Sequence, residues 1–174
     1  KENLIRSKYK NYKSISCINT GLDTLTGGRI KRLENVITQK TFLMTYGDGL
    51  SSVNIRKLIE FHNSHGKIAT VTAVRPPSRF GKLFIDKNFV KSFEEKKPMN
   101  EGWINGGYFV FNREIFDYIK GDSTILEQSP LSELSKKGQL MAFKHEGFWQ
   151  CMDTIRDRDF LRNLQKQKKF IFKK

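Results

Sequence analysis

The chain has 174 residues, 37% hydrophobic and 29% charged, with 13 Gly and only 4 Pro, a globular composition that excludes wholesale disorder and collagen-like repeats. The longest apolar runs are far too short to span a bilayer, and Cys17 and Cys151 lie far apart with no CxxC spacing, so free thiols in a reducing cytosol are expected rather than a disulfide scaffold or zinc ribbon. The net charge is +14, but residues 1–13 carry +4 of it and residues 156–174 carry +6, which leaves a nearly balanced body and a weak case for a nucleic-acid partner.

Taken in chain order, Thr26-Gly27-Gly28-Arg29 is a Gly-rich turn with a cation, ahead of a helix-like stretch. It lacks the Walker spacing and is a weak signal for phosphate or base binding. Thr41–Tyr46 is a short apolar run suited to a buried strand, and it ends at Gly47-Asp48-Gly49. Ser51 or Ser52 can cap the helix that follows. Ile55, Leu58, Ile59 and His62 fall at helical spacing, and Gly66 supplies the stop. Ile68–Val74 is β-branched and continuous, a second buried strand. Strand, helix, strand at this spacing predicts a βαβ unit with parallel pairing.

Pro76-Pro77 breaks the run. Gly81–Asp86 and Phe89–Phe93 then predict two short strands across a turn at Asp86–Asn88, and Ile104–Phe111 predicts another strand. Helices are expected over Arg113–Ile119 and Ile125–Lys137, the second divided by Pro130. Leu140–Phe143 reads as a strand, and a last helix starts near Thr154. The pattern is α/β, with a mixed, mostly parallel sheet and a short β excursion. No linker divides it into two domains.

Open sheets of this kind bind ligands at the carboxyl ends of their strands. That puts the loop Gly47-Asp48-Gly49 at the expected site. Asp48 suits a hard cation, although Asp-Gly is also a common turn. Asp153 is either the N-cap of the last helix or, if Thr154 and Asp157 form a capping box, a free carboxylate beside Phe148 and Trp149. Lys96 and Lys97 precede a Pro-bounded loop, where a cation could reach a phosphate or simply stand in water. Asn105-Gly106-Gly107 interrupts a strand with paired glycines, a mark of close approach by a ligand or another backbone. Asn105 offers a donor and an acceptor suited to a sugar hydroxyl. His62, His65 and His145 make no metal constellation, and Trp149 reads as core or pocket wall.

In series, TGGRIKR, YGDG, SFEEKKP, INGG and FWQCMDT resemble the glucose-1-phosphate cytidylyltransferases, nucleotidyltransferases that make nucleotide sugars, from about Thr20 to Leu161. The resemblance implies a Rossmann-like domain with helices on both faces of its sheet. It implies that CTP and glucose 1-phosphate give CDP-glucose and pyrophosphate, with Mg²⁺ held by Asp48 and Asp153. Lys96 would contact the sugar phosphate, with Lys97 competing because the usual EKP reads EKKP here. Glu95 would accept sugar hydroxyls, and Asn105 and Gly106 would line the sugar pocket. Gly28 and Gly47 would approach the nucleotide, and Arg29 would contact it. A cytoplasmic homo-oligomer supplying surface polysaccharide such as O-antigen is the implied setting, without membrane or nucleic-acid partners.

The family's opening GGxGTRL loop has no counterpart in these residues. On that ground the chain is expected to be the C-terminal part of one nucleotidyltransferase domain, lacking about 60 residues or more, and inactive alone. Two other readings stay open: a non-catalytic sugar-phosphate-binding domain and a basic nucleic-acid-binding module.

Overall fold

An unbroken β-branched run such as Ile68–Val74 is stable only when both faces of its strand are covered. It forms β5 (Ala69–Val74), whose residues are all buried except for the half-buried Val71. A computed structural model describes residues 3–5, 15–76, 82–94 and 102–167. Its packing divides the chain into two units, residues 1–39 with 114–133 and residues 40–113 with 134–174. Each unit is assembled from separated stretches, so no linker could announce the division.

The second unit holds a four-stranded sheet in the order β3 (Thr41–Thr45), β8 (Ile104–Asn112), β5, β9 (Leu140–His145). β8 is antiparallel to both its neighbours, and β5 pairs with β9 in parallel. Three of the four strands therefore run one way, as the mixed, mostly parallel reading expects. The expected direct pairing of β3 with β5 is corrected. The two are parallel, but β8 lies between them. Phe109, Val110 and Phe111 of β8 are buried, and the rings of Phe109 and Phe111 stack at 5.2 Å.

The connecting helix α2 (Ile55–His65) starts later than expected. Its cap is Asn54, whose Oδ1 accepts from Lys57 N at 3.0 Å, and not Ser51 or Ser52. The shift arises because Gly49–Ser51 forms a short strand, β4, paired with β10 (Trp149–Cys151). Gly66 ends the helix at φ 63°, as its sequence position predicts.

Two histidines pin α2 to the sheet. Lys67 N donates to His65 Nδ1 at 3.0 Å, so in the neutral ring the proton sits on Nε2, which donates to Thr70 Oγ1 at 2.8 Å. Thr70 Oγ1 in turn donates to His62 Nδ1 at 2.9 Å. His62 Nε2 then donates to Asn112 Oδ1 at 3.1 Å, which also accepts from Thr41 Oγ1 at 2.7 Å. The chain joins α2, β5, β8 and β3, and each buried polar atom in it is satisfied by its neighbour.

β8 carries a bulge. Val71 of β5 faces Phe109, but Ala73 faces Asn105, so Gly106, Gly107 and Tyr108 together oppose Thr72. Gly107 takes φ 76°, a region that favours glycine. Thr72 is fully buried, and its Oγ1 has no hydrogen-bond partner among the described residues.

The predicted excursion is present as a hairpin of β6 (Lys82–Asp86) and β7 (Phe89–Glu94), with Phe89 and Phe93 exposed. Helix α4 (Ile155–Lys166) has Thr154 as its cap in a reciprocal box with Asp157, so Asp153 is not the cap.

In the first unit, β1 (Asn3–Ile5) and β2 (Ile15–Cys17) form an antiparallel pair that the sequence reading did not anticipate. Thr26-Gly27-Gly28-Arg29 is not a turn but the start of α1 (Thr26–Lys31). Arg113–Tyr118 is a 3-10 helix. The expected helix over Ile125–Lys137 is shortened to α3 (Ser129–Lys136), with Pro130 in its first turn, where a missing N–H costs nothing. Arg32 holds Asp122 with two parallel bonds of 2.8 and 2.5 Å, and this pairing lowers the Asp122 pKa.

Two stability measurements check this account. Thr72→Val keeps the shape of the side chain and removes the unpaired hydroxyl, so it should raise unfolding stability in urea by about 1 kcal/mol. Desolvation first, then electrostatic repulsion from the His62 ring and Lys67, lowers the His65 pKa. Its stabilisation is therefore present above the unfolded value of about 6.5 and is lost as pH falls through the folded value. Melts across pH 7.5 to 5 should lose stability on that limb, and His65→Gln should flatten it.

Candidate active site

The carboxyl ends of β3, β5 and β9 lie at one edge of the sheet, together with the start of antiparallel β8. A cleft of about 400 Å³ opens there, within the second unit. Asp48, Asn105, Gly106 and Asp153 line it, joined by Tyr46, Pro76 and Trp149. Asp48 and Asp153 are 105 residues apart in sequence and are brought together by the short β4–β10 ladder. Gly49 faces Cys151, and Met152 N donates to Asp48 O at 2.9 Å. Neither carboxylate is engaged by another described residue. With Thr154 serving as the helix cap, Asp153 is left to face the cleft.

The cleft walls are tied to the bulge of β8. Trp149 Nε1 donates to Gly106 O at 2.8 Å, and Tyr46 N donates to Gly107 O at 3.0 Å. Asn105 Oδ1 accepts from Gly107 N at 2.8 Å, and its Nδ2 donates to Tyr46 Oη at 3.1 Å. One amide proton and one lone pair of Asn105 remain for a ligand. Tyr108 donates to Gly49 O at 2.8 Å, which steadies the loop that carries Asp48. Burial pushes the Tyr108 pKa up, against hydrogen bonds from Thr45 and Ser51 that lower it, and the hydroxyl stays a neutral donor.

The glycines divide by cause. A Cβ at Gly106 would sit 2.7 Å from Val74 Cγ1 and 2.9 Å from Thr72 O, so the fold itself demands glycine there. A Cβ at Gly47 would meet nothing within 4 Å. In the first unit, a Cβ at Gly28 would run into the Asp122 backbone. The amides of Gly27 and Gly28 both donate to Thr124 O, at 2.9 and 3.2 Å. Arg29 turns its guanidinium onto its own loop, donating to Thr20 Oγ1 and Gly21 O at 2.9 Å and to Leu22 O at 3.1 Å. Gly28 is thus packed closely on Asp122, and Arg29 braces the loop of residues 20–22. Glu95, Lys96 and Lys97 lie outside the described residues.

Tyr46, Tyr108 and Trp149 were not singled out as polar anchors by the sequence. Their one available signal is position, an aromatic at a strand end or inside a Gly-interrupted strand. No group of three or more His, Cys, Asp or Glu side chains among the described residues is arranged to hold a metal. A site built on Asp48 and Asp153 fits a cation that takes one or two carboxylates and fills its shell with ligand oxygens and water, which is the habit of Mg²⁺ at phosphate sites.

An α/β unit with an open cleft at its carboxyl edge and two unengaged carboxylates there is of the class that binds its ligands at the strand ends. The profile of the nucleotidyl transferase family matches residues 3–156, and the chain belongs to that family. It is 47% identical over 161 residues to the glucose-1-phosphate cytidylyltransferases of Salmonella typhi and Salmonella typhimurium, a match covering 92% of this chain and 63% of each of theirs. The crystal structure of HddC from Yersinia pseudotuberculosis superposes with a TM-score of 0.60 at 25% identity, covering 84% of this chain and 64% of that one. The chain thus spans somewhat less than two thirds of the length of these relatives.

The division of the glycines is measurable. Gly106→Ala should lower unfolding stability by about 1–3 kcal/mol through overpacking, whereas Gly47→Ala should stay within about 0.5 kcal/mol. Denaturant melts of the two variants check this.

Proposed function

We propose that the protein carrying these residues joins CTP to glucose 1-phosphate, releasing pyrophosphate and CDP-glucose. The observation that carries this reading is the convergence of Asp48 and Asp153 on one cleft beside Asn105 and Gly106. The 47% identity to the Salmonella cytidylyltransferases supports the choice of cytidine and glucose within the family.

In this reading Asp48 and Asp153 hold Mg²⁺, which neutralises charge on the transferring phosphoryl oxygens when bound. The β4–β10 ladder keeps the two carboxylates in register, so little reorganisation is needed when the substrates enter. Asn105 offers its remaining donor and acceptor to sugar hydroxyls while Tyr46 fixes its orientation. Open backbone at Gly47 lets a ligand approach the loop closely. Lys96, or Lys97 in its place, supplies the cation for the sugar phosphate, and Glu95 accepts a sugar hydroxyl. The sugar phosphate oxygen then attacks the α-phosphorus in line, and pyrophosphate leaves. A homo-oligomer in the cytoplasm, feeding nucleotide sugar to surface polysaccharide, completes the reading. No helix among the described residues is long and apolar enough to cross a membrane.

The test is Mg²⁺-dependent pyrophosphate release from CTP and glucose 1-phosphate. Asp48→Asn and Asp153→Asn should each cut the rate by about a hundredfold or more with unchanged circular dichroism. Near-wild-type rates would return the two carboxylates to turn chemistry. UTP or dTTP used as well as CTP would overturn the cytidine assignment.

A further inference from the structure

β3 closes the four-stranded sheet on one side with an edge that no described strand covers. Two bonds at its ends fix which of its backbone groups face outward. Arg113 N donates to Lys40 O at 2.8 Å, and Tyr46 N donates to Gly107 O at 3.0 Å. Alternate residues of an antiparallel strand address a given neighbour. Lys40, Phe42, Met44 and Tyr46 therefore turn their backbone groups to β8, and Thr41, Leu43 and Thr45 turn theirs outward. Those outward N–H and C=O groups have no partner among the described residues.

Such an edge is ordinarily guarded by charge, Pro or a bulge, because its open groups template association. The opposite edge strand, β9, carries Lys144. β3 reads Thr-Phe-Leu-Met-Thr, without charge or Pro, and its register against β8 is unbroken. Apolar as it is, none of its residues is buried. Leu43 lies in register with Val110 and, beyond it, Thr70. Those two are fully buried, whereas Leu43 stays 48% exposed.

The strand is also symmetric about Leu43. A two-fold axis there sets Leu43 against Leu43 of a second copy, Thr41 against Thr45 and Phe42 against Met44. Every outward-facing residue then meets another outward-facing residue, so each such pair exchanges both of its N–H···O bonds. Opposed Thr residues and opposed apolar residues are favourable cross-strand pairs. The flanks are complementary in charge. Lys40 precedes the strand and Asp48 follows it, so antiparallel pairing carries each Lys40 toward the end of the other strand that leads to Asp48.

We propose that the outer edge of β3 is a self-recognition surface, occupied by β3 of a second copy of this chain in antiparallel register about Leu43. The contact is isologous, so it closes at two copies and joins two four-stranded sheets into one. An edge of 5 residues is small beside the roughly 1,600 Å² of a standard interface, so association is reversible and depends on concentration. The inference stands on the geometry of β3 and does not require that the cleft transfer nucleotides.

Sedimentation velocity of the whole chain from about 1 μM to about 1 mM tests it. A monomer giving way to a dimer is expected. Leu43→Lys and Leu43→Glu each set like charges against each other on the axis and should weaken the dimer about tenfold or more. An equimolar mixture of the two should restore it, because residue 43 of one copy meets residue 43 of the other. Circular dichroism checks that both variants fold. A monomer at every concentration, growth beyond two copies, a dimer unchanged in either variant or a mixture that stays monomeric overturns the proposal. Where the variants fail to fold, hydrogen exchange of the unaltered chain decides. The amides of Thr41, Leu43 and Thr45 should exchange about tenfold more slowly at the high concentration than at the low one, and equal rates overturn the proposal.

Discussion

The carboxyl edge of the sheet hangs on the backbone of three residues, Asn105, Gly106 and Gly107. Gly106 O receives the Trp149 indole, Gly107 O receives the Tyr46 amide, and the Gly107 amide is held by Asn105 itself. This is possible because β8 carries more residues than β5 opposite Thr72, and a bulge turns carbonyls away from the ladder toward side chains. Two residues without Cβ make room for it: a side chain at Gly106 would strike β5, and one at Gly107 would strike the Tyr46 ring. The orphaned Thr72 hydroxyl is the cost of the same irregularity. Tyr46 and Trp149 lead directly into the loops that carry Asp48 and Asp153, so the placement of both carboxylates traces back to the bulge.

The opposite end of the sheet is built on the contrary plan. There the polar groups of His62, His65, Thr70 and Asn112 answer one another and leave little for an outside partner. A closed network at one edge fixes α2 against three strands, while unengaged donors and acceptors gather at the other. The division suits a ligand-binding α/β unit, in which rigidity and openness are needed at opposite ends of the same strands.

Much of this was legible in the residues. Helical spacing and Gly66 located α2, and of the two readings open for Asp153 the structure takes the one in which the T-x-x-D box caps the helix. The glycines of INGG signalled close approach, and at Gly106 the groups close by are Val74 and the backbone of β5. What the sequence could not convey was neighbourhood. Nothing in Thr41–Tyr46 or Ile68–Val74 says that a later strand will insert between them, because a strand covered on both sides has the same composition whatever its partners. The pairing of Gly49–Ser51 with Trp149–Cys151 was hidden for a related reason: three-residue strands carry too little periodicity to register. TGGR reads as a turn because paired glycines in a helix contradict propensity; their packing on Asp122 and Thr124 admits them to one.

The insertion of β8 also orders events in time. Thr41 meets Asn112 across 71 residues, and β3 and β5 share no ladder of their own. As the chain emerges during synthesis, β3, α2 and β5 are complete well before anything can pair with the edges they present to β8. Loop-closure entropy must be met before that central strand returns any contact energy. Until residue 112 is free, two apolar strands wait with unpaired edges, the condition in which nascent chains associate wrongly. A truncation ending before β8 would lose the middle of the sheet and not merely its rim. The strand that shapes the cleft is thus also the one on which productive folding waits.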